Sequence, residues 1–192
     1  MLWSVQGILG GTFDPPHIAH LAMARAAHAQ LGLEIVRLMP AGDPWQKSDT
    51  AVTDATHRWA MTVLVAQEEE WLVADDVEIK RHGPSYTIDT ITQMKQRCVL
   101  ILGADTALGI PTWHRGGELV DSVDIAVAPR PGISIDSVEL ALGRGVSVLD
   151  MDPIELSSTR IRELAAAGGE FSHLLTRAVW RYIGEHELYG TA

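Results

Sequence analysis

The sequence predicts an α/β protein with a doubly wound parallel sheet. Short apolar runs typical of buried strands alternate with segments whose apolar residues recur at helical spacing, beginning with residues 5–9 and 17–31. Glycine or proline closes several of these segments, as Gly32 and Pro40 do. Strands that are joined through helices run parallel, and ligands bind at the carboxyl ends of such strands.

The remaining elements continue this alternation. Further strands are expected at 35–39, 72–81, 98–102, 123–128 and 146–149. Further helices are expected at 53–67, from Ser85, at 133–145, from Ser157 and over about 173–185. With 192 residues, of which 46% are hydrophobic, the chain suffices for one domain, 1–192, whose helical part from about 157–192 packs on the sheet.

Composition argues against several classes of protein. The formal net charge of −10 disfavours a general nucleic-acid binder, which needs a basic surface. No apolar run reaches membrane-spanning length and the N-terminus lacks the features of a signal peptide, so a cytoplasmic protein is expected. The single cysteine, Cys98, excludes an internal disulfide framework and is expected to be buried. A homo-oligomer is compatible with the sequence, which leaves the oligomeric state open.

A strand, a glycine turn and a helix start follow one another in the stretch SVQGILGGTFDPPHIAHL. Gly10 and Gly11 end the strand, and the Asp-Pro-Pro run places the helix start near His17. Such a turn presents unpaired backbone N–H groups and the positive end of the helix dipole, a place that suits phosphate. His17 and His20 are three residues apart, so both imidazoles are expected on one face of the first helical turn, pointing at the same anion.

Three interpretations of this stretch are open on its residues alone. The histidines could form half of a metal site, although zinc needs a third ligand and no Cys or Glu cluster lies near. They could also be capping and packing residues. A phosphate or nucleotide site is favoured, because a structural turn has little need of two glycines, two prolines and two histidines together. The stretch is neither a Walker sequence nor a GxGxxG motif.

A second anion site is predicted where residues 156–162 read LSSTRIR. Serines that cap a helix bring hydroxyls and backbone N–H groups together, and Arg160 and Arg162 add guanidinium groups in the first turn. Cations at a helix start oppose its dipole. Because sequence rules tend to be broken at working sites, this local conflict indicates function.

These stretches resemble the signatures of a known family. GGTFDPPHIAH is similar to the (H/T)xGH motif of nucleotidyltransferases, and more closely to that of the bacterial nicotinate-nucleotide adenylyltransferases. LSSTRIR is similar to the ISSTxIR motif of that family, and GPSYTIDT to its nicotinate-binding helix start. The segment from Gly103 to Trp113 is similar to its ring-binding segment. The likeness extends to the C-terminal residues HELY and spans nearly the whole chain.

The resemblance implies a Rossmann-like adenylyltransferase fold and the transfer of AMP from ATP to nicotinate mononucleotide, which gives deamido-NAD and pyrophosphate. It implies Mg²⁺ as the ion that accompanies ATP. The implied catalytic residues are His17, His20 and Arg162. The implied ATP-binding residues are Gly10, Gly11, Thr12, Phe13, His17, His20, Ser158, Thr159 and Arg162. The residues implied to bind nicotinate mononucleotide are Lys47, Tyr86, Thr87, Gly103, Asp105, Trp113 and Arg130.

Two positions depart from the family's pattern, and a third is variable within it. Ala19 replaces the glycine of the first signature, and its methyl group is expected to intrude where a nucleotide packs against the helix. Gly116 stands where a second tryptophan is common in the family, so the floor of the pyridine pocket is expected to differ. Arg160 occupies the variable position of the second signature and is expected to face solvent.

Ordinary structural roles stay open for several of these residues. Tyr86 and Trp113 could be core aromatics, and Lys47 and Arg130 could be solvated loop residues. Arg58, early in the second helix, could face the site or the surface. Two other functions also stay open: a related adenylyltransferase that uses phosphopantetheine or nicotinamide mononucleotide as acceptor, and a non-catalytic nucleotide-binding protein.

Overall fold

The computed structural model describes residues 5–43, 52–94 and 96–191, and these form a parallel sheet with helices on both faces. Six strands lie in the order β3-β2-β1-β4-β5-β6, and every neighbouring pair is parallel. The doubly wound parallel sheet predicted from the sequence is therefore confirmed. The strands are β1 (Gln6–Gly11), β2 (Ile35–Pro40), β3 (Leu72–Ala74), β4 (Cys98–Gly103), β5 (Asp124–Ala128) and β6 (Ser147–Val148).

Eight α-helices are found in the described ranges. They are α1 (Ile18–Leu31), α2 (Ala55–Ala66), α3 (Thr87–Gln93), α4 (Ala104–Leu108), α5 (Gly116–Ser122), α6 (Ile135–Leu142), α7 (Ser158–Ala166) and α8 (Arg177–Glu185). Short 3₁₀ turns lie at Ile110–Thr112, Ser172–Leu174 and Leu188–Gly190. No helix in these ranges is both long and apolar enough to cross a membrane.

Alternate residues of the strands build two separate cores, one on each face of the sheet. Leu9 and Ile101 point into the first core, which α1, α2, α7 and α8 cover. Ile8 and Leu100 point into the second core, which α3, α4, α5 and α6 cover. Because both faces are covered, every residue of β4 is buried, including Cys98.

The C-terminal helices belong to the first core. Ile161 of α7 and Val179 of α8 are fully buried there, and α8 packs against α2. The last helix begins at Arg177 and not near residue 173 as predicted. Thr176 determines this start, because its hydroxyl accepts a hydrogen bond from the backbone N–H of Val179.

In the middle of the chain one sequence prediction of secondary structure was wrong and two short helices were missed. The strand expected at 72–81 ends at Ala74, because the Asp75 carboxylate accepts a hydrogen bond from the N–H of Val77 and turns the chain. The helices α4 and α5 were not predicted. They have only 5 and 7 residues, too few for helical periodicity to show in the sequence.

Candidate active site

Two adjoining clefts lie above the carboxyl ends of four neighbouring strands. The first, named the Trp113 cleft, has a volume of about 280 Å³ and is lined by Gly10, Gly11, Tyr86, Thr87 and Trp113, among others. The second, named the Ser158 cleft, has a volume of about 760 Å³ and is lined by Phe13, His17, Ser158, Thr159 and Arg130, among others. Three residues line both clefts: Thr12, His20 and Thr106.

The two histidines of the first motif stack at the junction of the clefts. His17 is the N-cap of α1, and its backbone N–H donates to Nδ1 of His20 at 3.1 Å. The two rings stack with centroids 3.7 Å apart, and the ring of Phe13 meets His20 edge-on at 4.9 Å. Both imidazoles line the Ser158 cleft, but His20 alone of the two also lines the Trp113 cleft. His20 is thus the imidazole placed between the two clefts.

His17 is a neutral imidazole at neutral pH. Its side chain is 2% exposed, and Nδ1 has no hydrogen-bond partner among the described residues. Burial, and secondarily the charge of Arg130, lower the pKa of His17 to about 3. The ring therefore presents a neutral dipole and not a positive charge to the Ser158 cleft.

The turn before α1 is held by residues from distant parts of the chain. Asp14 is 1% exposed, and its carboxylate accepts hydrogen bonds from the Tyr189 hydroxyl at 2.7 Å and from the Thr53 N–H at 3.2 Å. Burial and the neighbouring Asp14 carboxylate raise the pKa of Tyr189, so the phenol stays a donor. The Asp14–Pro15 peptide is cis, and Phe13 has a φ of 51°. The hydrogen bonds that the Asp14 carboxylate accepts from Tyr189 and Thr53 hold the backbone that leads into His17.

The two predicted phosphate motifs meet at this turn. The Ser158 hydroxyl donates to the Pro15 carbonyl at 2.8 Å, 143 positions away in the chain. Nη1 of Arg162 donates to the Asp14 carbonyl, also at 2.8 Å. These groups therefore already have protein partners. Arg160 is exposed, as expected, and in addition lines the Ser158 cleft, whose described lining does not include Arg162.

The family resemblance implied that Asp105 and Arg130 bind the pyridine nucleotide, and that assignment stays a prediction. Both residues line the Ser158 cleft, beside the phosphate motifs. Nε of Arg130 donates to Asp105 at 3.3 Å, and its Nη1 donates to the Leu156 carbonyl at 3.4 Å and to that of Ile154. Gly103 permits the pair, because a Cβ there would lie 2.6 Å from the Asp105 carboxylate. The residues follow neighbouring strands, β4 and β5, and the sequence does not show which cleft those strand ends face.

The Trp113 cleft brings together the aromatic residues that the sequence singled out. Tyr86 is the N-cap of α3, and Trp113 follows a 3₁₀ turn; both are half-buried. His114 stacks on Tyr86 with ring centroids 4.1 Å apart. Sequence reasoning missed His114, although its position next to Trp113 was an available signal. These rings form an aromatic wall suited to a flat heterocycle.

A buried acid in the same cleft was also missed. Glu78 is 7% exposed and accepts a hydrogen bond from the Thr90 hydroxyl at 2.6 Å. Burial raises the pKa of Glu78 despite that bond.

Lys47, predicted to contact phosphate, lies outside the described residues. Arg58 reaches neither the surface nor a cleft, since it is 2% exposed and lines neither of them in the described structure.

Both departures from the family pattern have a structural explanation. The methyl group of Ala19 lies in the first core at 1% exposure, and the described clefts do not include it. The expectation that it would intrude on a nucleotide was therefore wrong. Gly116 begins α5 against the preceding 3₁₀ turn, where a Cβ would lie 2.1 Å from the Ile110 carbonyl oxygen. The backbone contact excludes any side chain at position 116.

The pKa of His17 predicts a measurable dependence of stability on pH. Below pH 6.5 the unfolded chain binds a proton at His17 that the folded protein binds only near pH 3. The stability that His17 contributes is therefore complete above pH 6.5 and is lost as the pH falls. We expect His17→Gln to lose less stability than the wild type between pH 7 and pH 5, by on the order of 2 kcal/mol.

Urea unfolding at the two pH values measures this difference. The exposed His82→Gln variant is the control and should follow the wild type. Equal losses of stability in His17→Gln and the wild type would show that His17 is protonated in the folded protein.

Comparison with known proteins places the chain in a family. Residues 8–164 match the cytidylyltransferase-like family. A probable nicotinate-nucleotide adenylyltransferase of Bordetella petrii is 40% identical over 95% of this chain and 97% of the relative, and that of Thermoanaerobacter sp. is 36% identical over 95% and 93%. The Plasmodium falciparum nicotinic acid mononucleotide adenylyltransferase complexed with NaAD shares the fold, with a TM-score of 0.79 over 98% of both chains at 17% identity. The chain therefore belongs to the nicotinate-nucleotide adenylyltransferases within the cytidylyltransferase-like family.

Proposed function

We propose that the chain transfers the adenylyl group of ATP to nicotinate mononucleotide, with the ATP phosphates in the Ser158 cleft and the pyridine ring in the Trp113 cleft. One observation carries this arrangement: His20 lines both clefts. The reacting groups, the α-phosphate of ATP and the 5′-phosphate of the acceptor, would meet at that shared wall. The products are deamido-NAD and pyrophosphate.

The reaction needs positioning more than proton transfer. A phosphate monoester is largely dianionic at neutral pH, so the attacking oxygen needs no general base. The protein must align two anions that repel each other and stabilise the charge on the transferring and leaving oxygens. His20, between the clefts, would donate to phosphate oxygens as they react. His17, being neutral and packed under it, would orient the His20 ring and donate without adding charge.

The ATP side would be built from backbone and guanidinium donors. A Cβ on Gly10 would meet no atom within 4 Å, so the chain leaves open space there for a ligand to approach the backbone. The N–H groups of Gly11, Thr12 and Phe13 would cradle phosphate, together with Ser158 and Thr159 at the start of α7. Arg162, whose Nη1 donates to the Asp14 carbonyl, would contribute the remaining N–H donors of its guanidinium group. Arg130 adds a positive charge to the same cleft, oriented by Asp105 and by the carbonyls before α7.

The pyridine side would rest on the aromatic wall of the Trp113 cleft. Trp113 would stack on the ring, and the backbone at Tyr86 and Thr87 would donate to the pyridine carboxylate. Gly103 supports the site indirectly, through the Asp105–Arg130 contact that it permits. Lys47 stays a predicted contact of the substrate phosphate.

Mg²⁺ would accompany ATP and neutralise charge on its phosphate oxygens. In residues 5–43, 52–94 and 96–191, no group of three or more His, Cys, Asp or Glu residues could hold a metal ion. The ion would therefore be held mainly by phosphate oxygens and water. Asp105 and Glu155 are the carboxylates that line the Ser158 cleft among the described residues, and they would be the protein's charged oxygen ligands there.

A comparison of acceptors tests the proposed function. Purified protein is given ATP and Mg²⁺ with nicotinate mononucleotide, nicotinamide mononucleotide or phosphopantetheine, and pyrophosphate release is measured. We expect the highest kcat/KM with nicotinate mononucleotide. Faster release with phosphopantetheine would assign the chain to another transferase of the superfamily. ATP binding without release on any acceptor would show a non-catalytic nucleotide-binding protein.

His20→Ala is expected to keep the fold and to lower kcat by about 10²–10³-fold, because a donor to the reacting phosphates is lost. The matched control is His28→Ala on the same helix, whose ring stacks on Trp71 away from both clefts. Its kcat should stay within about two-fold of the wild type when measured below its melting temperature. A folded His20→Ala protein with near-normal kcat would refute the role of His20.

Trp113→Ala is expected to raise KM for nicotinate mononucleotide by about 10-fold while KM for ATP stays within about two-fold. A stacked aromatic contributes roughly 1 kcal/mol beyond its buried area. The indole of Trp113 lines the Trp113 cleft and not the Ser158 cleft. Trp180→Ala, at a position 46% exposed, is the control. Equal increases for both nucleotides would make Trp113 a structural residue.

A further inference from the structure

The side chain of Arg58 is a buried cation that joins three segments of the chain, one in the loop after β1 and two in the connection between β2 and α2. Nε donates to the Thr53 carbonyl at 2.8 Å, and Nη1 donates to the carbonyls of Thr12 at 3.0 Å and Ala41 at 2.5 Å. Nη2 donates to the Gly42 carbonyl at 3.0 Å. In the described part of the chain its acceptors are thus backbone carbonyls and no carboxylate. Asp14 and Asp54 offset its charge from a distance, while burial lowers its pKa.

These contacts orient the peptides that they touch. A trans peptide is planar, with its C=O and N–H on opposite sides, so a carbonyl that points at Arg58 sends the adjoining N–H the other way. The N–H groups of Gly42 and Asp43 indeed donate to Oγ of Ser85, at 2.9 and 3.3 Å, on the far side from the guanidinium. Arg58 is therefore linked, through two peptides, to the residue that precedes Tyr86 in the Trp113 cleft.

The same argument applies to the loop after β1. The Thr12 carbonyl points at Arg58, so the N–H of Phe13 is turned away from the guanidinium. Thr12 lines both clefts and Phe13 lines the Ser158 cleft. One guanidinium thus donates to backbone carbonyls of residues that line both clefts.

We propose that Arg58 is a positioning residue for adenylyl transfer, which holds the loops after β1 and β2 in the relative orientation that both substrates need. This inference rests on the proposed function. Arg58 does not line the described clefts and so acts through the Thr12 and Gly42 peptides and through Ser85. A planar fork with five N–H donors can reach acceptors from three segments at once, which an ammonium group cannot do.

The test compares Arg58→Lys and Arg58→Gln with a matched control. Arg144 also donates to backbone carbonyls, those of Val120 and Val123, but outside both clefts, so Arg144→Lys is the control. The values of kcat and of KM for ATP and nicotinate mononucleotide are measured below the melting temperature of each protein. We expect kcat to fall by about 10–100-fold and both KM values to rise in the Arg58 variants, because small misplacements of aligned groups are costly. Arg144→Lys should stay within about two-fold.

A third variant changes the hydrogen bonds on the other side of the same two peptides. Ser85→Ala removes the acceptor of the Gly42 and Asp43 N–H groups and leaves the Arg58 contacts in place. It tests the proposal if the Arg58 variants fail to fold. We expect its KM for nicotinate mononucleotide to rise by about 10-fold and its KM for ATP to stay within about two-fold. An unchanged KM for the pyridine nucleotide would show that the hydrogen bonds of Ser85 to Gly42 and Asp43 do not affect the Trp113 cleft, and would contradict the proposal.

Hydrogen exchange of the Phe13, Gly42 and Asp43 amides gives a readout apart from activity, and exchange is expected to be faster in Arg58→Lys. Arg58 variants that melt at a lower temperature but keep wild-type kcat and KM would overturn the proposal and leave Arg58 a structural residue. A wild-type protein that releases no pyrophosphate with any acceptor would instead overturn the proposed function. The two failures are therefore distinguishable.

Discussion

The structure of the site depends on satisfying the buried polar groups of one short turn, residues 12–16. Carbonyls and a carboxylate that are removed from water need hydrogen-bond donors, and this turn cannot supply its own. The donors come from α2, from the start of α7 and from the C-terminal Tyr189. Because α2, α7 and Tyr189 all pack in the first core, that core places the donors that hold the turn. The turn also places His17 and His20, because α1 begins directly after it.

Sheet order determines where the two clefts can form. β1 lies between β2 and β4, so the loops after β1 and β4 leave the sheet toward different faces. The phosphate motif follows β1 directly, and the second motif reaches the same place through α7. The aromatic wall comes from α3 and from the turn before α5. His20 lies where these contributions meet.

Charge in the described lining of the Ser158 cleft is balanced, unlike that of the whole protein. The chain carries a formal net charge of −10, whereas in this cleft Arg130 and Arg160 offset Asp105 and Glu155. Burial of His17 near Arg130 keeps the imidazole neutral, because a second cation in a desolvated place would be costly. Positive charge in this cleft is therefore supplied by guanidinium groups, and His17 supplies a directional dipole. This division suits a site where two anions must be aligned.

Three features could be predicted from the amino-acid sequence: the fold class, the position of the strand, turn and helix of the first motif, and the serine cap of α7. Each depends on neighbours within a few residues, on periodicity, capping or turn chemistry. Three others required the three-dimensional structure: Arg58 is buried against four carbonyls, Asp105 and Arg130 line the Ser158 cleft, and Ala19 faces the core. These features depend on contacts with residues far away in the chain. Periodicity, capping and turn signals describe only neighbouring residues, so they cannot predict which distant groups a side chain will contact.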